Sequence, residues 1–336
     1  KPDREHAEEC YFEQIEVFRV VHHRFADPLG RACPSASSKL ERAAVLSQPA
    51  KGGGVSRPEA ARTGIGHNSR QPGEGGRDLA DIRHHTIETN GIRMHVAEAG
   101  SGPAVVFCHG WPELWYSWRH QVHALADAGF RAIAPDMRGY GGTDAPADPA
   151  EYTMKTLCAD MAGLLDALGI EQAAFVGHDW GGAVIWQMGL RYPERVTALV
   201  GLNTPYGPPS NARPTESLRD FHGQTDRTFY MRYFLAPGVA EAELEADVAT
   251  TFKKIFLPYT RAADFTTFMT VGGDGSGVIA RITNTDTFLT AEELAEYVKE
   301  YSRTGFRGGL NWYRAADRNA EEAGAPKGPQ LNIRSM

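Results

Sequence analysis

The stretch Gly177-His178-Asp179-Trp180-Gly181-Gly182 decides the fold of this chain. It has the form of a nucleophile elbow, in which a strand turns sharply into a helix and exposes one side chain at the end of a sheet. Glycines permit that turn because a Cβ atom would obstruct it. The nucleophile position holds Asp179, where serine is usual. The sequence therefore predicts a carboxylate nucleophile. The alternative interpretation is an ordinary capping aspartate, which the small residues on both sides disfavour.

A carboxylate at this position limits the chemistry. It can attack an sp3 carbon and form an ester, which water must open in a second step. Epoxide opening, halide displacement and close relatives of these reactions fit that requirement.

Alternating strands and helices surround the elbow. An apolar run over residues 173–176 leads into it, and a helix is predicted over 183–192. Upstream, two alternating segments flank Asn90-Gly91, which predicts a hairpin. The other predicted elements are strands over 105–108, 131–135 and 196–202 and helices over 115–128 and 154–168. This order predicts an α/β fold with a mostly parallel sheet and helices on both of its faces.

A helical insertion is predicted after the strand that ends at Leu202. Residues 205–310 are expected to form a cap, or lid, with helices over 229–235, 240–256 and 291–302 and a loop over 272–277. Residues 81–204 are then the first part of the core, and 311–336 return to it. Residues 331–333 predict the start of one more strand, and the last strands of the core are expected to be missing.

The first 80 residues differ in composition from the rest. They are rich in Gly, Pro, Ser, Ala and Arg, with few large apolar side chains after residue 26. Such a segment buries too little apolar surface to offset its ordering entropy. It is predicted to be disordered or a non-native leader.

Composition excludes several function classes. The chain of 336 residues has a net charge of -7 and no basic stripe, so no nucleic-acid partner is expected. No apolar run is long enough to cross a membrane, so no membrane partner is expected either. The four cysteines lack metal-ligand spacing, which favours free thiols in a reducing compartment and a cytoplasmic location. The glycine-rich loop 136–144 is not a dinucleotide fingerprint, so we expect no cofactor and assign it a structural role at the rim of the site.

A second motif, His109-Gly110-Trp111-Pro112-Glu113, follows a buried strand. Hydrolysis of an ester on Asp179 creates an oxyanion, which needs two backbone N–H donors. The amides of Trp111 and Trp180 are the predicted pair. Pro112 fixes the turn and is a candidate for a cis peptide bond.

Three polar side chains near these motifs have two interpretations each. His109 and His178 are either packed, hydrogen-bonded histidines or proton carriers, and packing is favoured for both. Glu113 is either a solvated surface charge or the group that, with His178, positions the hydrolytic water.

The motifs together resemble those of α/β-hydrolase-fold epoxide hydrolases of the soluble, plant and bacterial kind. Residues 109–113, 138–142 and 177–182 carry the resemblance, and 113–121 extend it. The segments 229–234, 237–244 and 308–314 are similar to the cap of that family. The resemblance covers residues 83–336.

The resemblance implies a hydrolase that acts on ether bonds and converts a small apolar epoxide and water into a vicinal diol. It assigns to Tyr230 and Tyr313 the cap hydroxyls that bond and protonate the epoxide oxygen. Phenols stay protonated near neutral pH, which agrees with that role. Tyr233 is a neighbouring candidate, and lid packing is its other interpretation. Apolar cap residues suit an apolar substrate or lid packing equally: Phe229, Phe234, Phe265 and Phe268.

The family completes its triad with an acid and a histidine that follow later strands. Here the last histidine is His222 and the last aspartate is Asp317, both in or beside the predicted cap. The acid and the base of the triad are therefore expected to be absent from this chain. Such a chain would alkylate Asp179 once and stall.

Two rival functions remain. A haloalkane or haloacid dehalogenase of the same fold also uses an aspartate, and Trp180 could donate to its halide, but the two cap tyrosines favour an epoxide. A catalytically incomplete remnant that binds apolar ligands or partners is the rival of another class.

Overall fold

The elbow lies at the end of a strand within a twisted sheet. The computed structural model describes residues 81–207, 228–257, 267, 270–271, 276–323, 331, 333 and 335–336. The predicted N-terminal segment 1–80 lies outside these residues. So do His222, Phe265, Phe268 and positions 272–275 of the predicted loop.

Six strands form the main sheet of the described residues, in the order β1-β2-β4-β3-β5-β6. β1 and β2 are antiparallel, as are β2 and β4, and the other neighbours are parallel. The strands are β1 (Arg83–Thr89), β2 (Ile92–Gly100), β3 (Ala104–Cys108), β4 (Arg131–Pro135), β5 (Ala173–His178) and β6 (Val196–Leu202). The prediction of a mostly parallel sheet is confirmed.

The β1–β2 turn has the geometry that its residues favour. Asn90 and Gly91 have φ angles of 44° and 77°. Positive values at both central positions are typical of the tight hairpin turn that Asn-Gly prefers. The predicted hairpin is confirmed, and it sets the antiparallel edge of the sheet.

Three helices pack on the sheet: α1 (Arg119–Asp127), α2 (Met154–Ala167) and α3 (Trp180–Arg191). α1 packs on β2 and β4, whereas α3 packs on β5 and β6 and also contacts α2. The predicted helix over 115–128 begins with a 3-10 turn, Trp115–Trp118. Apolar side chains of β3 and β5, such as Phe107 and Phe175, are fully buried, as central parallel strands require.

The helical insertion after β6 is more divided than predicted. It contains β7 (Thr228–Phe229), α4 (Tyr230–Phe234), α5 (Val239–Leu244), α6 (Val248–Ile255), β8 (Thr270–Val271), α7 (Ala291–Thr304) and α8 (Arg307–Arg314). The single helix predicted over 240–256 is wrong. Asp247 accepts a hydrogen bond from the Thr250 amide and starts α6 as a new helix, which α5 does not join. The two-stranded β7–β8 ribbon was not predicted.

The chain returns to the core after the insertion. α8 runs across the boundary predicted at residue 310, and α9 (Ala316–Ala323) packs on α2, where the Met154 amide donates to Asn319 Oδ1 at 2.7 Å. Ser335 then forms a parallel bridge with Leu199 of β6. The sequence predicted the start of a strand slightly earlier, over 331–333, and the division into a core and an insertion stays a prediction. The absence of the last strands stays a prediction.

Two of the four cysteines, Cys108 and Cys158, are described, and both are buried free thiols. Burial raises the pKa of each thiol, that of Cys158 to about 12. Both therefore stay protonated and act as small core residues. Among the described residues, no helix is long and apolar enough to span a membrane.

Candidate active site

The backbone at Asp179 adopts a conformation that few residues tolerate. Its φ is 52° and its ψ is -122°. The flanking glycines are required by close contacts: a Cβ on Gly177 would lie 2.4 Å from the Gly181 carbonyl oxygen, and one on Gly181 would lie 2.0 Å from that of Cys108. Backbone strain of this kind persists where the surrounding structure holds it in place. Asp179 precedes α3 without making a capping hydrogen bond, so its side chain is available for chemistry.

Two backbone amides hold the Asp179 carboxylate. Trp111 N donates to Oδ1 at 2.9 Å, and the Trp180 amide donates as well. Gly110 makes this approach possible, because a Cβ there would lie 2.4 Å from Asp179 Cβ. The same two donors were expected to form the oxyanion hole. The structure brings both of them to the predicted nucleophile.

Burial raises the pKa of Asp179 above its ordinary value. The Trp111 and Trp180 amides and the charge of His178 act in the opposite direction, and Glu113 adds to the rise. A buried carboxylate that is held by backbone amides is fixed in orientation, as a nucleophile requires.

Tyr230 and Tyr313 face each other from α4 and α8. They are 7% and 2% exposed, their ring centroids are 6.0 Å apart, and their hydroxyls are hydrogen-bonded. The Tyr313 ring also meets Trp180 edge-on at 5.1 Å, and its hydroxyl bonds the Trp180 side chain. Burial raises the pKa of both phenols, and the nearby charge of Asp179 raises it further. The two phenols are therefore kept protonated close to Asp179.

Other aromatic rings pack around the tyrosine pair. Phe234 packs against Trp111 at 4.8 Å and against Tyr313 at 5.1 Å, both between ring centroids. Phe229 packs on Tyr230 at 4.7 Å. The surroundings of the tyrosine pair are thus apolar.

Tyr233 points elsewhere. Its hydroxyl donates to the Val239 carbonyl at 3.4 Å, at the start of α5. Burial, together with Glu243, raises its pKa to about 12. Its contacts are those of packing within the insertion.

Glu113 and His178 form a pair beneath the turn that carries Trp111. Glu113 Oε2 accepts from the Gly110 amide at 2.7 Å and lies 3.1 Å from His178 Nδ1. Burial acts to raise the Glu113 pKa, but His178 and the Gly110 amide outweigh it and lower the pKa. Glu113 is therefore not a solvated surface charge, and its carboxylate fixes the turn beside Asp179.

His109 uses both ring nitrogens. Nδ1 donates to the Gly110 carbonyl at 2.9 Å, and Nε2 accepts from the Met137 amide at 2.9 Å. Burial lowers its pKa, which keeps the ring neutral. These contacts are those of a packed histidine that holds the motif. The peptide bond between Trp111 and Pro112 is cis.

The glycine-rich loop 136–144 contacts the insertion. A Cβ on Gly308 of α8 would lie 2.0 Å from the Gly139 carbonyl oxygen, so the two backbones touch. Trp312 Nε1 donates to the Arg138 carbonyl at 2.9 Å. Sequence reasoning missed Trp312, since nothing in its local pattern indicates a partner 174 residues away.

The acid and base of the expected triad have no assigned residue. His178 is the histidine whose charge acts on Asp179, and it is paired with Glu113. Among the described residues, no group of three or more His, Cys, Asp or Glu side chains is arranged to hold a metal ion.

Comparisons with known proteins agree with the geometry. Residues 103–257 match the alpha/beta hydrolase fold family. Epoxide hydrolase A of Mycobacterium tuberculosis is 42% identical over 256 residues, which are 74% of this chain and 79% of that protein. The crystal structure of epoxide hydrolase A from Mycobacterium thermoresistibile superposes with a TM-score of 0.71 at 46% identity and covers 76% of this chain and 81% of that one.

Mammalian relatives are longer. Bifunctional epoxide hydrolase 2 of Mus musculus is 46% identical over 246 residues, which are 71% of this chain. This chain spans 41% to 43% of the length of that protein and its pig and rat counterparts.

Proposed function

Because this chain belongs to the epoxide hydrolases of the α/β-hydrolase fold, we propose that it opens a small apolar epoxide by attack of Asp179. The observation that supports the proposal is the meeting of two kinds of donor at Asp179. The amides of Trp111 and Trp180 bind its carboxylate, and the buried phenols of Tyr230 and Tyr313 lie close enough to feel its charge.

Ring opening uses these groups directly. The free oxygen of Asp179 attacks one epoxide carbon, and the bond from that carbon to the ring oxygen breaks. Tyr230 or Tyr313 donates its proton to the departing oxygen, and the tyrosinate regains a proton from solvent. The product is a hydroxyalkyl ester on Asp179, without any change in oxidation state.

Hydrolysis of the ester is the second step. Water attacks the ester carbonyl, and the resulting oxyanion is stabilised by the amides of Trp111 and Trp180. Collapse releases the vicinal diol and restores the carboxylate. The water must lose a proton to a general base in this step.

Incubation with styrene oxide, followed by mass spectrometry, tests the proposal. The expected product is one added epoxide mass on the peptide that contains Asp179. Asp179→Ala should abolish labelling in a protein whose circular dichroism is unchanged. Tyr230→Phe and Tyr313→Phe should each slow labelling by about 100-fold, the usual contribution of a general acid.

Other outcomes identify the rival functions. Labelling of Asp179 by a chloroalkane but not by the epoxide would indicate a dehalogenase. Saturable binding of styrene oxide that survives Asp179→Ala, with no labelling of the parent protein, would indicate a binding protein. Diol formation beyond one equivalent per protein would show that the ester is also hydrolysed, and it would leave the ring-opening assignment intact.

A further inference from the structure

Trp312 lies next to Tyr313 in α8 and is 1% exposed. Its indole Nε1 donates to the Arg138 carbonyl at 2.9 Å. Its ring meets Trp180 edge-on, with the centroids 6.0 Å apart. One side chain therefore connects the helix of Tyr313 both to the glycine-rich loop and to the residue that follows the nucleophile.

The acceptor of that hydrogen bond is itself fixed. The Arg138 guanidinium makes two hydrogen bonds to Asp160 of α2, at 2.7 and 2.6 Å, and the two side chains are 2% and 1% exposed. Asp160 also accepts from Asn90 Nδ2 at 2.7 Å. A bidentate buried pair of this kind allows little rotation. The Arg138 carbonyl is thus held relative to α2 and the β1–β2 hairpin.

Glycines bring α8 against the same loop. A Cβ on Gly308 would lie 2.0 Å from the Gly139 oxygen, and one on Gly309 would lie 2.9 Å from Tyr140 Cε1. The contact leaves no space for adjustment by side chains at the start of α8. The Trp312 hydrogen bond is the polar link of the helix to this loop one turn further on.

We infer that Trp312 is the positioning residue for Tyr313: its hydrogen bond to the Arg138 carbonyl sets the Tyr313 hydroxyl over Asp179. The inference rests on the proposed function, since it concerns the donor that protonates the epoxide oxygen. A donor must reach that oxygen while the carboxylate reaches the carbon, and small displacements lower the rate steeply. Loss of the indole N–H would leave the Arg138 carbonyl without this donor. The segment of α8 that carries Tyr313 would then lose its hydrogen bond to the loop.

Single-turnover ester formation with styrene oxide measures the effect. Trp312→Phe should slow the reaction by about tenfold, as a sub-ångström misplacement of a catalytic donor would. Replacement of Trp312 by 3-benzothienylalanine, which keeps the ring shape without the N–H, should do the same, and it carries the test if Trp312→Phe does not fold. Trp118→Phe is the matched control, because Trp118 is also buried and its Nε1 has no hydrogen-bond partner among the described residues. It should leave the rate unchanged.

A double-mutant cycle separates positioning from general packing. If Trp312 acts through Tyr313, its loss should have no further effect in a Tyr313→Phe background and its full effect in a Tyr230→Phe background. An additive loss in the Tyr313→Phe background, or an unchanged rate in either Trp312 variant, would overturn the inference while the proposed function stands. Failure of the parent protein to form the ester would reject the proposed function, and the inference with it.

Discussion

The two sides of the candidate site are built by different forces. On the core side, Asp179 is held by backbone: a strained elbow, glycines that touch carbonyl oxygens at either end of it, and two amide donors. On the side of the insertion, the Tyr230 and Tyr313 side chains are held by ring contacts and a hydroxyl pair, although α8 itself also touches the glycine-rich loop through its backbone.

The difference has a mechanical consequence. Backbone contacts at van der Waals distance have no rotamers to change, so the core side tolerates almost no alteration. Ring packing permits small shifts, so the helical side can lose a hydroxyl and remain in place. Asp179 is therefore fixed, and the two tyrosine side chains are placed relative to it by the docking of α4 and α8.

The largest effect is expected from Gly181→Ala, which disrupts the backbone contacts of the elbow on the core side. The new Cβ would lie 2.0 Å from the Cys108 carbonyl oxygen, where only backbone can yield. We expect a loss of about 3 kcal/mol in the free energy of unfolding and no ester on Asp179. Urea denaturation and mass spectrometry measure the two effects. The control is Gly207→Ala, since an added Cβ there meets nothing within 4 Å. Normal stability and labelling in Gly181→Ala would show that the elbow is not rigid.

The pH profile of ester formation should depend on Asp179 of the core side at acid pH and on the two tyrosines of the insertion side at alkaline pH. Asp179 attacks when ionised, so the rate is present above its pKa and falls about tenfold per unit as pH drops below it. Because burial raises that pKa, the fall should begin above the usual range for aspartate. The tyrosine pKa values are also raised, so the rate should persist at alkaline pH where a free phenol ionises.

This assignment is checked by measuring the rate of ester formation over a range of pH, with samples quenched at fixed times, in the parent protein and in Tyr313→Phe. The acid limb should stay in place in the variant, because it belongs to the core side. A rate that rises as pH falls would contradict the carboxylate role of Asp179.

The smallest expected effect is a difference in stability between two variants, each of which removes the hydroxyl of one buried tyrosine. One tyrosine lies on the core side and the other in the insertion. Tyr140 of the core loop has a hydroxyl with no hydrogen-bond partner among the described residues. Tyr301 of α7 donates to the Glu113 carbonyl at 3.1 Å. Tyr301→Phe should lower the free energy of unfolding by about 1 kcal/mol, whereas Tyr140→Phe should leave it unchanged or raise it. Thermal denaturation of the two variants ranks them, and the reverse order would refute the comparison.

Sequence reasoning succeeded where structure is local. The elbow, the Asn90-Gly91 hairpin and the buried strands all depend on neighbours in the chain, so their residues carry the information. It failed at two places within the helical insertion. The break between α5 and α6 comes from a capping aspartate within an otherwise helical pattern, and the β7–β8 ribbon pairs residues 41 and 43 positions apart in the sequence.

The site divides in the same way. The sequence by itself determined that a carboxylate stands at an elbow, with a second motif able to supply an amide, because glycine and proline patterns encode backbone geometry directly. Only the tertiary structure decided that Tyr233 packs against Val239, that Glu113 pairs with His178, and that Trp312 ties α8 to the Arg138 carbonyl. Those contacts join residues through space. The residues next to a side chain in the sequence do not encode its partner in a distant segment. The packing of the helices on the sheet determines that partner.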